Sequence, residues 1–245
     1  MKVFILGSGT LLSAPDRNPS GYLLVEKEEP GLMDCGPGIL RRLKETNTDL
    51  LALKTIFLTH FHVDHCADVL ALLLTRYLLD SRANEHLRII GPKGLTDWFR
   101  AQASWQGEWL NAHPPELIEM TAQPFHWAGL TIRSCKTLHT ERSIGYVIED
   151  GKGWFYSGDT DYSEKLIRCI SGLHTAIIEC SLPEGMKMTG HLVPAEVAML
   201  AQKAGFKRLI LTHLYPFNER PELVEEVAEH FQGEIIVARD FQQFS

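Results

Sequence analysis

The chain has 245 residues, 44% hydrophobic and 22% charged, with a formal net charge of −7 and a sequence pI near 5.9. That composition is ordinary for a globular protein, and the acidic balance argues against tight binding to long nucleic acid, where Lys and Arg must neutralise phosphates. No apolar run reaches the roughly 18–20 residues that cross a bilayer, and Met1 to Gly9 lacks the apolar core of a signal peptide, so no membrane contact and a cytoplasmic location are expected.

Residues 3–6 and 22–26 predict a hairpin, with a Gly turn at 7–10 and a polar loop from Pro15 to Gly21 between them. Leu32 to Gly38 is a short strand breaking into a Gly-Pro turn, followed by a helix over 39–44. The apolar run 55–58 predicts a buried strand, and 67–79 a largely buried helix, with Asp68 reading as its cap. A strand at 87–90, a helix over 95–105, a loop over 106–115 and a strand at 117–120 follow. From Leu130 the pattern is β-rich, with a hairpin of 144–149 and 154–156 around Gly151 to Gly153. Strands at 176–178, 208–212 and 234–238 alternate with helices over 194–204 and 221–231, the first opened by Pro194 and closed by Gly205. Each half therefore begins β-rich and then alternates strand and helix, which predicts an α/β fold of two facing sheets with helices outside, built as one domain over residues 1–245.

Five cysteines (Cys35, Cys66, Cys135, Cys169, Cys180) form an odd set without a CxxC pair, which argues against a disulfide framework and favours small buried apolar residues. Trp98, Trp105 and Trp109 read as core packing or a subunit interface, and Arg17, Lys136 and Arg142 as solvated loop cations.

The chemistry concentrates in Thr59-His60-Phe61-His62-Val63-Asp64-His65, between a predicted strand and a predicted helix. Metal-ligand side chains on a strand-end loop are a common way to build a site on a rigid scaffold. His139, Asp159, Glu179 and His213 also each fall just past a predicted strand. If the strand ends share one edge, these residues converge there. His60, His62, Asp64, His65, His139, Asp159 and His213 are too many for one tetrahedral zinc, which keeps an open position in catalytic sites. They suit two divalent ions sharing a carboxylate, with zinc as the default and manganese or iron compatible with the same donors.

The order and spacing of His60-x-His62-x-Asp64-His65, His139, Ser157-Gly158-Asp159-Thr160 and Leu211-Thr212-His213-Leu214 resemble the metallo-β-lactamase superfamily across essentially the whole chain. The resemblance implies a four-layer αβ/βα sandwich with a dinuclear centre. His60, His62 and His139 would hold one ion, Asp64, His65 and His213 the other, and Asp159 would bridge. Within the superfamily the chain is most similar to the RNase Z branch of phosphodiesterases, which uses an aspartate bridge. Ile178-Glu179-Cys180-Ser181 and Gly190-His191-Leu192-Val193-Pro194 resemble the segments carrying that branch's acid pair. The resemblance implies catalytic roles for His191 as general acid, Glu179 as its orienting carboxylate, and Asp64 as acceptor of the attacking water's proton.

The chain departs from the tRNA-trimming members in two places. Their long Gly/Pro-rich arm is absent: a simple hairpin fills the interval from His139 to Asp159, and 65–139 holds no glycine-rich arm either. Asp68 stands where relatives usually place glycine. The expectation is thus a dinuclear-zinc phosphodiesterase of RNase Z type, acting on a small or short phosphodiester. Its alternatives are a hydrolase of a lactone, thioester or cyclic phosphodiester on the same fold, and a tRNA 3′-processing endonuclease. The resemblance also implies a homodimer.

Overall fold

The computed structural model of the chain describes residues 1–12 and 15–245. β1 (Lys2–Gly7), β2 (Gly21–Glu26) and β3 (Glu29–Met33) form an antiparallel meander. The chain then winds in parallel through α1 (Ile39–Glu45), β4 (Thr55–Phe57), α2 (Val63–Cys66), α3 (Val69–Leu79), β5 (Arg88–Gly91), α4 (Leu95–Ala103), α5 (Glu108–Asn111) and β6 (Glu116–Glu119). The second half repeats the plan. β7 (Phe125–Trp127), β8 (Leu130–Lys136), β9 (Ile144–Glu149) and β10 (Trp154–Tyr156) are antiparallel. Parallel winding resumes through α6 (Glu164–Ile170), β11 (Thr175–Glu179), α7 (Pro194–Ala204), β12 (Arg208–Thr212), α8 (Leu223–Ala228) and β13 (Glu234–Val237). A last strand, β14 (Gln243–Phe244), returns to pair with β1.

The result is two seven-stranded mixed sheets, ordered β14-β1-β2-β3-β4-β5-β6 and β13-β12-β11-β10-β9-β8-β7. Side-chain alternation splits each strand between two cores. In β11, Ile177 faces the layer between the sheets while Ala176 and Ile178 face α6 and α7. That is why the run 175–179 is buried at every position, as expected for a parallel strand covered on both faces. Between the sheets, Phe57 meets Trp127 and Tyr146 edge-on, at centroid distances of 6.1 and 5.5 Å. Such aromatic pairs contribute about 0.5–1.5 kcal/mol beyond the area they bury. The four-layer αβ/βα sandwich expected from the sequence is the observed architecture.

Several local expectations are corrected. The helix expected over 67–79 is α3, starting at Val69, with the separate short α2 inside the His-rich loop before it, and it is not buried all round: Leu74, Leu78 and Leu79 are exposed while Arg76 is fully buried. Arg76 is stable there because it donates to the carbonyls of Leu50, Leu53 and Ala83 and to Asn84 Oδ1. Asp68 caps a different helix from its own. Its backbone is already αR (φ −81°, ψ −2°), which turns the side chain away from its own first turn. Its Oδ2 instead accepts from the Leu40 N–H at the start of α1, at 2.9 Å. Cys135 and Cys169 form a disulfide joining β8 to α6, a pairing across 34 positions that spacing alone does not reveal. Cys35, Cys66 and Cys180 are free and buried, as expected. Arg17 is not solvated: it is buried and donates to Ser8 Oγ, the Ala238 carbonyl and Glu219. Lys136 donates to the carbonyls of Thr140 and Glu141. Trp98 stacks on Phe61 and Trp109 packs against Tyr77, but Trp105 is 88% exposed and belongs to no core. α6 is missing from the sequence expectation although Ser163 marks its start, accepting from the Leu166 N–H. β7 and β14 are too short to show a period.

Candidate metal centre

Strand direction assembles the site. β9 is antiparallel to both β8 and β10, and β10, β11 and β12 are mutually parallel, so β8, β10, β11 and β12 all end on one edge. His139, Asp159 and His213 follow these ends, and Glu179 is the last residue of β11. The other sheet supplies His60 to His65 beyond β4, and the Ile144 N–H bonds the Thr59 carbonyl at 3.0 Å, tying the two edges together. The strand-end expectation holds for all five segments.

The seven residues named from the sequence converge as two sets around Asp159. Donor atoms of His60, His62, His139 and Asp159 lie within 4.8 Å of one another, and so do those of Asp64, His65 and His213. The Asp159 carboxylate divides between the sets. Its Oδ2 lies 3.6 Å from both His60 Nε2 and His139 Nε2, while Oδ1 lies 3.2 Å from His65 Nε2 and 3.4 Å from His213 Nε2. Asp64 Oδ2 lies 3.3 Å from His213 Nε2, and His62 Nδ1 3.0 Å from His139 Nε2.

The hydrogen-bond network sets the tautomers. His65 Nδ1 is 2.8 Å from Asp34 Oδ2, and His139 Nδ1 is 2.9 Å from the Gly190 carbonyl, so both nitrogens carry the proton. Thr59 Oγ1 donates to Asp34 and Ser181 Oγ to Glu179, leaving each hydroxyl oxygen to accept from His60 Nδ1 and His213 Nδ1 respectively. All four rings then turn Nε2 toward the Asp159 carboxylate, which is itself acceptor-only. His60 Nε2 and Asp159 Oδ1 are accordingly buried with no hydrogen-bond partner among the described residues. Converging lone pairs around a buried carboxylate lack a cation, and imidazoles oriented through their other nitrogen are the arrangement metal ligands adopt. The residues present therefore fit divalent ions.

The electrostatics agree. Burial lowers the pKa of His60 and of His139, keeping both rings neutral. Burial alone would raise Asp64 and Asp159, but the His213 and His65 imidazoles beside them hold both carboxyls well below the usual range. His65 is also opposed by burial, yet Asp159 and Asp34 outweigh it and raise the ring. A cation binding at its Nε2 would displace that proton.

The Glu179–His191 pair is also assembled. His191 Nδ1 lies 3.2 Å from both carboxylate oxygens of the fully buried Glu179. Burial opposes charge on His191, but the hydrogen bond and charge of Glu179 raise its pKa to about 9. Its ring stacks on His213 at 5.8 Å and meets His139 edge-on at 4.8 Å, beside both sets.

Two contributors escaped sequence reading. Asp34, fully buried, accepts from the Thr59 N–H and hydroxyl, the Tyr156 hydroxyl and His65 Nδ1. A lone acid ending the apolar run Leu32-Met33 was its only signal. Ser181 links Glu179 to His213, and nothing distinguishes it from an ordinary strand-end serine in the sequence. The site opens into a cleft of about 470 Å³ lined by His62, Asp64, His139, Asp159 and His191 and rimmed by Leu11, Leu12, Phe61, Val63 and Tyr215. No Lys or Arg is among these residues; Arg142 lines a neighbouring recess that shares Phe61 and His62.

This sandwich with its edge-on His/Asp cluster defines a hydrolase of the metallo-β-lactamase fold. The chain belongs to the β-lactamase superfamily, whose domain model matches residues 32–214. It is 29% identical to a ribonuclease Z of Mycobacterium bovis, over 99% of this chain and 97% of that one. Among solved structures it is similar to the metallo-β-lactamase fold protein YhfI of Bacillus subtilis, with a TM-score of 0.87 and 26% identity over 99% of this chain and 98% of that one. The short form of human tRNase Z shares the fold, with a TM-score of 0.78 and 23% identity over 100% of this chain and 99% of that one.

Proposed function

We propose that the protein is a dinuclear, zinc-dependent phosphodiesterase of RNase Z type that cleaves short phosphodiesters. His60, His62 and His139 would hold one ion, Asp64, His65 and His213 the second, with Asp159 between them. The observation that carries the reading is the division of the Asp159 carboxylate between two histidine sets, with the Glu179–His191 pair beside them. The ribonuclease Z relative supports the choice of phosphodiesters. When bound, the ions supply Lewis acidity toward phosphate oxygens and a nucleophile from water at neutral pH.

The chain's own groups do the rest. Asp64, whose carboxylate lines the cleft beside His213, would accept a proton from the attacking water. Glu179 fixes His191 through Nδ1, so Nε2 is the atom that delivers a proton to the departing alkoxide. General acid catalysis of this kind contributes about 10²–10⁴-fold. His191→Ala should therefore keep its metal content. It should lose about 10²-fold or more on a dinucleoside monophosphate and much less on bis(4-nitrophenyl) phosphate, whose leaving group needs no proton. Steady-state rates on the two substrates check this, and equal losses would overturn the general-acid role.

A second reading, tRNA 3′-processing, is favoured by the name of the M. bovis relative. Against it stand the short β9–β10 connection between His139 and Asp159 and a cleft lined, among the described residues, by no Lys or Arg. Turnover of precursor tRNA by the zinc-loaded enzyme, tested beside a dinucleotide, a cyclic nucleotide, a lactone and a thioester, separates the readings.

A further inference from the structure

His191 does not sit on a strand or a helix. It lies on a strap, 183–193, whose only regular element is the 3₁₀ turn Glu184–Met186. The strap's outer part has little apolar anchorage, with Met186 and Met188 47% and 49% exposed, while its end at Leu192 and Val193 is buried. It carries two groups the site depends on, the His191 ring and the Gly190 carbonyl that orients His139.

Beyond Leu192, whose carbonyl accepts from the Ser181 N–H and whose N–H donates to Glu179 Oε2, an ammonium joins this strap to its surroundings. Lys187 Nζ donates to Asp161 Oδ1 at 2.6 Å, to the His191 carbonyl at 2.5 Å and to Glu196 Oε2 at 2.5 Å. An ammonium has three protons, and all three are used. Asp161 closes the ring, since its Oδ2 accepts from the Gly190 N–H at 2.9 Å. Asp161 lies two residues beyond Asp159, and Glu196 lies in the first turn of α7. The lysine thus ties the backbone of His191 to the loop that carries Asp159 and to a rigid helix start. With its three donors taken by protein acceptors at the surface, Lys187 is not free to grip substrate.

We infer that Lys187 is a positioning residue for proton delivery: its ammonium holds the strap so that His191 faces the leaving oxygen. This rests on the general-acid reading of His191. Misplacement of a reacting group by about 1 Å costs about 10²-fold in rate, whereas an activated leaving group does not use the acid.

The test compares Lys187→Met, Lys187→Arg and His191→Ala as zinc-loaded full-length proteins, with metal content and thermal melts measured on each. With the dinucleoside monophosphate ApA, Lys187→Met should lose about 10–100-fold in kcat with KM little changed. With bis(4-nitrophenyl) phosphate its loss should be at least about tenfold smaller. Lys187→Arg should recover most of the ApA rate, and Lys187→Met should cost nothing further in a His191→Ala background, since residues acting as one unit are non-additive. Equal losses on both substrates, an unchanged ApA rate, or full additivity with His191→Ala would overturn the inference. If His191→Ala itself shows no difference between the substrates, the general-acid reading fails instead. A selective loss for His191→Ala without one for Lys187→Met leaves that reading intact and removes Lys187 from it.

Discussion

At the residue scale the donor side chains are held by groups behind them. Asp34 gathers His65, Thr59 and Tyr156 onto one buried carboxylate, in a left-handed backbone conformation at φ 54°. His213 is held at φ 53°. A non-glycine residue in that region costs on the order of 1–3 kcal/mol and persists only where its surroundings over-determine it. Here the surroundings are a hydrogen-bonded carboxylate and a strand end aimed at Asp159. Asp34→Asn keeps the size and the tolerance of positive φ but loses the charge and half the acceptor capacity. It should weaken zinc binding about 10–100-fold, the usual effect of disturbing the partner of a metal-bound imidazole. Competition with a chromophoric chelator measures this; wild-type affinity in Asp34→Asn would remove Asp34 from the metal argument.

At the element scale the His60–His65 loop is held by its neighbours more than by itself. The Cys35 N–H bonds the His65 carbonyl at 2.7 Å, the Asp68 N–H bonds the Cys35 carbonyl at 3.0 Å, and the Asp68 carboxylate caps α1. Gly36 permits this approach: a Cβ there would stand 2.1 Å from the Asp64 carbonyl oxygen. The starts of α1 and α3 are thereby joined directly behind the ligand loop. Asp68→Ala should cost about 1 kcal/mol, the typical value of a lost helix cap. For a chain of this size that is about 2–4 °C in Tm. A melt by circular dichroism checks it, and an unchanged Tm would mean the cap contributes nothing.

At the scale of the whole molecule, two similar halves each present a sheet edge, and the site lies where the edges meet. Ions bound there would link the halves and stabilise the native state by about 2.7 kcal/mol at a free concentration a hundred times Kd. Stripping with a chelator should lower Tm by roughly 5–10 °C on the same scale, with recovery on adding back zinc. Superimposable melts with and without chelator would show that no ion is bound tightly. Among the described residues, no helix is long and apolar enough to cross a membrane.

The sequence by itself determined the sandwich and which His and Asp side chains come together at its edge. Strand-end placement, apolar runs of strand and helix length, and the spacing of His60, His62, Asp64 and His65 are local signals, written within a few residues of one another. Only the tertiary structure decided which nitrogen of each ring carries its proton, and that Asp34 and Ser181 hold those rings. It also decided that Asp68 caps a helix other than its own and that Cys135 meets Cys169. Most of these depend on a partner many residues away, where direction and distance arise only once the sheets have paired.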